Sequence, residues 1–245
     1  MKRILVIGDI HGGLIALKQV LDKASVTTND TLIFLGDYVD GWSDAAEVVE
    51  YAMQLEQQQD CIFIKGNHDL WCEEWLQTNN IDTTWYEHGG AETIKSYEKL
   101  NAESKNRHLL FFKKMKYFFI DDKNRLFIHA GFQSALGPQK EFSYDEILWD
   151  RSLWQTALIT DKKLKSSTLL LPKRLELFTE IYIGHTPTLY VGSTEPMHAQ
   201  NVWNIDTGAA FTGPLSMMDV DTKQFWQSDI VKNLYPGEVG RNKHF

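Results

Sequence analysis

Cysteine is scarce in this sequence, which has only Cys61 and Cys72 among its 245 residues. Two cysteines do not provide a disulfide framework, and we expect both to be reduced packing residues in a cytoplasmic protein. Long apolar runs are also missing, because no segment approaches the roughly 18 apolar residues that a membrane-spanning helix needs. The first apolar run, from Ile4 to Ile7, is too short for a signal peptide. We therefore expect no membrane partner.

Basic residues are also fewer than acidic residues. The sequence has 25 lysines and arginines against 33 acidic residues, which gives a formal net charge of −8. This balance disfavours a surface that binds nucleic acid or anionic lipid. Bound divalent cations would still make a local site positive. Hydrophobic residues make up 43% of the chain, so a substantial core is expected and disorder is not.

The first third of the chain alternates strand and helix patterns. The apolar segments ILVI, TLIFLGD and CIFIKGN are typical of buried strands. Between them, apolar residues recur at helical spacing, as in the series Ala45, Val48, Val49 and Ala52. This βαβαβ order predicts a largely parallel sheet with helices packed on it.

The rest of the chain predicts a helical segment followed by a β-rich layer. Residues of about 70–115 are mostly helical in pattern and rich in aromatic side chains. Strand patterns follow in KYFFI, RLFIHAG, EIYIGHT, LYVGS, VWNIDTG and LSMMDV. Beyond Pro236 the polar sequence predicts a loosely held segment.

Polar side chains of ligand type follow six of these predicted strands. They are Asp9 and His11 in GDIHGG, Asp37 and Asp40 in GDYVDG, Asn67, His68 and Asp69 in GNHD, His129 in HAG, His185 in GHTP, and Asp206 in NIDTG. One such ending is also explained by a strand-to-helix turn, in which Asp9 is a helix cap. Six of them predict one convergent site, since ligands bind at the carboxyl ends of strands in α/β sheets.

The chemistry of this predicted site is narrow. Aspartate, asparagine and histidine are present at the strand ends, and cysteine is absent from them. Oxygen and imidazole ligands without thiolate suit manganese, iron, zinc or magnesium better than they suit a structural zinc site. There are more ligands than one ion needs, and a pair of ions is a recurring solution for phosphate ester hydrolysis.

The motifs GDIHG, GDYVDG, GNHD, HAG and GHTP, in this order, resemble those of the calcineurin-like metallophosphoesterases. Within that family the sequence is most similar to the phosphoprotein phosphatase branch, which includes bacterial and phage serine/threonine phosphatases and symmetrical diadenosine tetraphosphate hydrolases. The resemblance implies a single α/β domain over residues 1–245. It also implies two mixed β-sheets packed as a sandwich, flanking helices and a dimetal site at the strand ends.

The resemblance also implies a role for each motif residue. The metal ligands would be Asp9, His11, Asp37, Asn67, His129 and His185, with Asp37 between two divalent ions. Manganese is the first choice, and iron, zinc, cobalt, nickel and magnesium are alternatives. A hydroxide bridging the ions would attack phosphorus, His68 would protonate the leaving oxygen, and Asp40 would orient His68.

The sequence departs from the family pattern in its substrate-binding residues. Family members usually have an arginine where this chain has Gly41. Arg151 matches a second family arginine, and the match implies a contact with phosphate, unless Arg151 only pairs with Asp150 or another surface acid. Lys65 precedes GNHD, where some relatives have a basic residue, and it would contact phosphate with Asn67 unless it is a surface lysine.

Other residues have weaker contexts. Asp206 matches a family segment that is more often structural, so it is a candidate only for supporting a metal ligand. The aromatic residues Trp71, Trp75, Trp85 and Tyr86 would line a cleft or, more often for such clusters, lie in the core. The remaining histidines, which have no ligand context, are His88, His108, His198 and His244.

These features favour a metal-dependent phosphoesterase that hydrolyses phosphate monoesters, including phosphoserine or phosphothreonine in a phosphoprotein. The alternative is symmetrical hydrolysis of a dinucleoside polyphosphate such as diadenosine tetraphosphate by the same site. A third hypothesis is an inactive scaffold of the same fold. The complete set of ligand-type residues, together with His68 and Asp40, argues against the scaffold.

Overall fold

The computed structural model describes residues 2–164 and 171–242. Two mixed β-sheets pack face to face, and helices cover their outer surfaces, as the family resemblance implied. The strands are β1 (Ile4–Ile7), β2 (Thr31–Phe34), β3 (Cys61–Phe63), β4 (Phe118–Ile120), β5 (Arg125–Ile128), β6 (Glu180–Ile183), β7 (Met197–Ala199), β8 (Val202–Asn204), β9 (Pro214–Asp219) and β10 (Phe225–Ile230).

The α-helices occur mainly in the first two thirds of the chain. They are α1 (Leu14–Lys23), α2 (Ala45–Glu56), α3 (Asn67–Thr78), α4 (Thr83–Trp85), α5 (Ala91–Tyr97), α6 (Ala102–Lys114), α7 (Tyr144–Ile147), α8 (Ser152–Leu164) and α9 (Val231–Leu234). A π-helical turn covers Tyr86–Gly90, and 3₁₀ turns cover Pro138–Lys140, Lys173–Glu176 and Thr188–Val191. The predicted helical segment at about 70–115 therefore contains α3 to α6.

Each sheet has parallel strands at its centre and antiparallel strands at one or both edges. The first sheet has the order β10-β9-β1-β2-β3, in which β1, β2 and β3 are parallel. The second has the order β4-β5-β6-β8-β7, in which β5, β6 and β8 are parallel. The parallel strands of each sheet thus end together at one edge, where ligands collect.

The alternation of side chains along β1 divides the core into layers. Leu5 and Ile7 face α1 and α2, whereas Val6 faces the second sheet. On the second sheet's side of this inner layer, the rings of the neighbouring residues Phe127 and Tyr182 stack with centroids 5.0 Å apart and share a buried cluster with Val6. This inner layer fixes the two sheets against each other, because both rings are buried.

The sequence prediction is wrong in three places. The LYVG stretch, predicted as a strand, lies largely in the 3₁₀ turn Thr188–Val191, directly after Pro187. Strands β7 and β10 were not predicted. Residues 237–242 were expected to be loosely held, but the Glu238 carboxylate accepts hydrogen bonds from Ser43, and the backbone N–H of Arg241 donates to the Ala210 carbonyl; the rest of that segment lies outside the described residues. Within the described ranges, no helix is both long and apolar enough to cross a membrane.

The inner layer makes a testable contribution to stability. Replacing Phe127 by alanine removes a fully buried ring, so the free energy of unfolding should fall by about 3–5 kcal/mol. Phe225→Ala is the matched control, because Phe225 lies on the edge strand β10 and is 37% exposed. Urea unfolding of both variants measures the difference. Equal losses would contradict the assignment of Phe127 to the layer between the sheets.

Candidate metal centre

The predicted ligands come together at the ends of strands from both sheets. From the first sheet, Asp9 and His11 follow β1, Asp37 follows β2, and Asn67 begins α3 after β3. From the second sheet, His129 follows β5 and His185 follows β6. All six are buried. The site therefore lies between the two sheets at the carboxyl ends of their parallel strands.

Asp37 lies at the middle of this arrangement. One carboxylate oxygen is 3.5 Å from His11 Nε2, and the other is 3.5 Å from His129 Nε2. Ligand atoms of His11, Asp37 and His68 all lie within 4.8 Å of one another, and so do those of Asp37, His129 and His185. Asp37 is common to both groups, which is the arrangement a carboxylate between two ions requires. The first group contains His68, which was expected to be a proton donor.

Two buried atoms of the site have no hydrogen-bond partner among the described residues. The backbone N–H of His185 donates to Asp9 Oδ2 at 2.9 Å, but Asp9 Oδ1 has no partner. His185 Nδ1 is 2.9 Å from Asn67 Oδ1, but His185 Nε2 has no partner. Buried polar atoms are almost always paired, so these two atoms fit a site built to hold cations.

Backbone carbonyl groups orient two of the histidines. His11 Nδ1 lies 2.9 Å from the Asp40 carbonyl oxygen, and His129 Nδ1 lies 2.8 Å from that of Leu35. An N–H at Nδ1 donates to the carbonyl and leaves Nε2 as the unprotonated ligand atom. In both rings Nε2 faces Asp37. The tautomer that binds a metal is therefore the one that the fold favours.

Asp69 holds the Asp37 loop to the start of α3, a role that the sequence analysis did not assign. Its carboxylate accepts hydrogen bonds from the N–H groups of Asp37, Tyr38 and Gly66, at 2.8, 2.9 and 2.7 Å. Asp69 is fully buried. The GNHD motif contains Asp69, but the sequence alone does not show that the Asp69 carboxylate faces the backbone of the loop after β2.

Burial changes the acid–base properties of the centre. It raises the pKa of Asp9, and it raises the pKa values of Asp37, Asp69 and Asp206 to about 7. Burial also lowers the pKa values of His11 and His185, and that of His129 to about 4. Neutral imidazole is the form that binds metal, and nearby dications would favour ionised carboxylates. The electrostatics therefore fit bound cations.

Close packing of the ligand loops depends on Gly184, which follows β6. A Cβ atom at this position would lie 1.9 Å from Asp9 Oδ1. Real Cβ atoms do not approach an oxygen so closely, so any side chain would displace Asp9 or move the loop. The absence of a side chain at Gly184 brings the Asp9 carboxylate and His185 next to each other.

His68 and Asp40 form a hydrogen-bonded pair beside the ligands. His68 Nδ1 lies 2.6 Å from Asp40 Oδ2. The same oxygen accepts from Trp85 Nε1 at 2.7 Å, and Asp40 Oδ1 accepts from the Thr93 hydroxyl at 2.6 Å. Asp40 is therefore fixed from three sides. Its carboxylate accepts the Nδ1–H of His68, so Nε2 is the ring nitrogen that is not engaged by Asp40.

A cavity of about 250 Å³ lies over the centre. Its lining residues are Asp37, Asn67, His68, Trp71, Thr84, His88, Trp149, Arg151, His185 and Arg241. Arg151 is exposed there and forms no ion pair among the described residues. The Asp150 carboxylate instead accepts from the N–H groups of Ser152 and Leu153 at the start of α8. The structure therefore does not show the Arg151–Asp150 pair that was the alternative.

Lys65 does not reach this cavity. Its ammonium group pairs with Glu73 Oε2 at 2.5 Å, and its side chain is buried. Lys65 is absent from the residues that line the cavity over the centre. The structure thus gives no support to a phosphate contact by Lys65, because its charge is already neutralised elsewhere.

The remaining candidates divide between core and site. Trp75 and Trp85 are buried in the core, and Tyr86 lines a neighbouring cavity. Trp71 lines the cavity over the centre, together with His88, Trp149 and Arg241, for which the sequence analysis gave no role. Asp206 is buried, and its charge helps to raise the pKa of Asp9. The other unassigned histidines are His108, which bonds Tyr97 and Glu50, His198, which stacks on Trp203, and His244, which lies outside the described residues.

Two mixed sheets with acid, amide and imidazole ligands at their strand ends define a metallophosphoesterase. Residues 2–206 match the family model described as calcineurin-like phosphoesterase, and the chain belongs to that family. The resemblance seen in the sequence motifs is confirmed. The family uses a dimetal centre, in agreement with the two ligand groups that share Asp37.

Individual proteins with known names are similar to this chain over most of its length. The chain is 26% identical over 237 residues to a bis(5'-nucleosyl)-tetraphosphatase PrpE, asymmetrical, from Oceanobacillus iheyensis, covering 91% of this chain and 90% of that one. It is 26% identical over 235 residues to the protein of the same name from Anoxybacillus flavithermus, covering 87% and 88%. A protein serine/threonine phosphatase from Saccharomyces cerevisiae shares the fold, with a TM-score of 0.62, 15% identity and coverage of 93% and 79%.

The two ligand groups predict a metal stoichiometry. Protein saturated with Mn²⁺ should retain about two ions per chain, and Asp37→Ala should lose at least one, because both groups include Asp37. Elemental analysis after gel filtration measures this ratio. His108→Gln is the control, since His108 is a buried histidine that bonds Tyr97 and Glu50 outside the centre. Wild-type protein that saturates at one ion would contradict the two-ion arrangement.

Proposed function

We propose that this protein hydrolyses phosphate esters or anhydrides at a two-metal centre. The metal ligands would be Asp9, His11, Asp37, Asn67, His129 and His185. The observation that carries the proposal is the position of Asp37, which belongs to both ligand groups and faces a histidine with each oxygen. The oxygen and imidazole donors suit manganese, which we take as the activating ion. Two dications lower the pKa of bound water and stabilise charge on phosphoryl oxygens.

The residues of the chain would divide the remaining work. In its imidazolium form, His68 would supply the Nε2 proton to the leaving oxygen while its Nδ1–H donates to the Asp40 carboxylate. Arg151 would donate to phosphoryl oxygens, because it is exposed in the cavity and has no acidic partner among the described residues. Asp69 would keep Asp37 in place through its three backbone hydrogen bonds.

Dinucleoside tetraphosphates are the first candidate substrates. The relatives that match about 90% of the chain are named as asymmetrical bis(5'-nucleosyl)-tetraphosphatases. One wall of the cavity is also suited to a base, since Trp71 and Trp149 meet with ring centroids 4.8 Å apart. Trp149 is 42% exposed and so has surface available for stacking.

The position of this aromatic wall favours asymmetrical over symmetrical cleavage. The Trp71 ring is 5.1 Å from the His68 ring, and the Trp149 ring is 6.2 Å from the His185 ring. A base on this wall would lie beside the metal centre, with only its ribose between it and the first phosphorus. Attack at that phosphorus would release a nucleoside monophosphate and a nucleoside triphosphate.

Phosphate monoesters are the second candidate substrates, favoured by the His68–Asp40 pair. A serine or threonine alkoxide is a poor leaving group and needs a proton, which this pair is placed to supply. The leaving group of a tetraphosphate is itself a phosphate, whose last pKa is about 6, and it needs little protonation. The pair therefore matters most for an alkyl ester.

Product analysis separates these candidates. With Mn²⁺ and diadenosine tetraphosphate, we expect AMP and ATP as products by ion-exchange chromatography. Two molecules of ADP would instead indicate symmetrical cleavage. Turnover of phosphoserine peptides with no turnover of the tetraphosphate would show that phosphate monoesters are the substrates. An absence of metal-dependent turnover on all of these and on an aryl phosphate would refute the proposal and favour a scaffold.

The role of His68 is tested by its dependence on the leaving group. His68→Asn should lower kcat on an alkyl phosphate by roughly 10²–10⁴-fold, because the alkoxide must be protonated. The loss should be much smaller on an aryl phosphate or on the tetraphosphate. Steady-state kinetics with metal content measured in parallel provide the comparison. Equal losses on all substrates, or a loss of metal, would show that His68 is a ligand and not the proton donor.

A further inference from the structure

The segment 236–242 packs on the loop that carries Asp40. Glu238 accepts hydrogen bonds from the Ser43 backbone N–H at 3.0 Å and from its hydroxyl at 2.7 Å. Two residues later, Gly240 approaches Trp42 so closely that a Cβ would lie 2.6 Å from the indole ring. The backbone N–H of Arg241 then donates to the Ala210 carbonyl at 2.9 Å. These contacts place Arg241 at the edge of the metal centre.

The side chain of Arg241 passes over Gly41. A Cβ at Gly41 would lie 3.4 Å from Arg241 Cγ, in ordinary contact distance. Gly41 itself has a φ of 122°, which strains any other residue. The Arg241 side chain thus runs through the space that a side chain at position 41 would enter. Its guanidinium carbon lies 5.4 Å from the Phe211 ring centroid, so the aromatic ring supports the group from one side.

Arg241 lines the same cavity as Arg151, Asn67, His68 and His185. Among residues 2–164 and 171–242, no carboxylate forms an ion pair with it, and its buried Nε has no hydrogen-bond partner. A buried N–H such as Arg241 Nε normally has a hydrogen-bond partner. An unpaired guanidinium beside a phosphoester site therefore has donors available for an anion.

The charge of Arg241 acts on the centre without a direct bond. It is among the influences that lower the pKa values of Asp37, Asp40 and Asp206, against the larger effect of burial. Burial is the main cause that lowers the pKa values of His11 and His68, and the charge of Arg241 lowers them further. The guanidinium is thus near these side chains, and none of them satisfies its hydrogen bonds.

We propose that Arg241 is a second substrate-binding arginine, which donates to phosphoryl oxygens from the side of the cavity formed by Gly41. Arg151 would donate from its own position on the cavity wall. This inference rests on the proposed phosphoesterase function and names a further residue for it. Residue 241 lies beyond the range 2–206 that matches the family model, so the family match does not assign it. Arginine suits the role because its planar fork donates two hydrogen bonds to phosphate.

The test compares Arg241→Gln and Arg241→Lys with the wild-type protein, all loaded with Mn²⁺. A charge-assisted hydrogen bond is worth about 1.5–3 kcal/mol, so Arg241→Gln should lower kcat/KM by roughly 10- to 150-fold. The inhibition constant for inorganic phosphate should rise by a similar factor, with metal content unchanged. Arg241→Lys should recover only part of the loss, because an ammonium group has no fork.

Arg107→Gln is the matched control, since it removes the same charge from a surface arginine that pairs with Glu50 at 3.3 Å. It should change kcat/KM by no more than about twofold. Arg241→Gln with wild-type kcat/KM and wild-type phosphate inhibition would overturn the inference while leaving the proposed function intact. A loss of metal in Arg241→Gln, with full recovery in Arg241→Lys, would also overturn it, because Arg241 would then only balance charge.

Phosphate binding keeps the test independent of the substrate. If the wild-type protein turns over none of the candidate substrates, the proposed function fails. Calorimetric titration of the Mn²⁺-loaded protein with inorganic phosphate still measures the contribution of Arg241. Binding that weakens in Arg241→Gln and not in Arg107→Gln would support the inference. Equal phosphate affinity in wild-type protein and both variants would refute it.

Discussion

The burial of several carboxylates in one place is the constraint on which this site depends. Asp9, Asp37, Asp69 and Asp206 are all buried near one another, and each has a raised pKa. Ionised acids without nearby cations would destabilise such a cluster. The surrounding histidines cannot supply the charge, because burial lowers their pKa values. Divalent cations would resolve this conflict, and the unpaired Asp9 Oδ1 and His185 Nε2 are available to bind them.

The fold serves this electrostatic requirement by bringing strand ends from two sheets to one place. Phe127 and Tyr182 of the second sheet pack in one buried cluster with Val6 and Ile33 of the first sheet, and this cluster holds the sheets together. Close approach at Gly184 then allows the ligand loops to interlock, and Asp69 ties two of these loops through their backbone. The proposed hydrolysis needs a water-activating centre, a proton donor and anion-binding groups. The centre would come from the strand ends, while the proposed anion-binding arginines lie on loops farther along the chain.

The sequence was most informative where function and fold are local. Apolar strands that end in Asp, Asn or His predicted the positions of the ligands, since each strand carries its own signal. Long-range contacts were harder to predict, because they depend on which loops meet. The residues next to Asp69 in the sequence do not indicate that its carboxylate accepts hydrogen bonds from the backbone N–H groups of Asp37 and Tyr38. The residues next to Arg241 in the sequence do not indicate that Gly240 packs against Trp42 and so places Arg241 at the cavity. The misassigned LYVG stretch shows the same limit, since apolar composition alone does not distinguish a strand from a 3₁₀ turn.

Anomalous X-ray diffraction from crystals of the Mn²⁺-loaded protein tests the central claim most directly. Data collected at the manganese absorption edge locate each ion independently of any assumption about its ligands. The account predicts two peaks, one on each side of the Asp37 carboxylate, with His11 next to one ion and His129 and His185 next to the other. A single peak, or peaks away from Asp37, would contradict it.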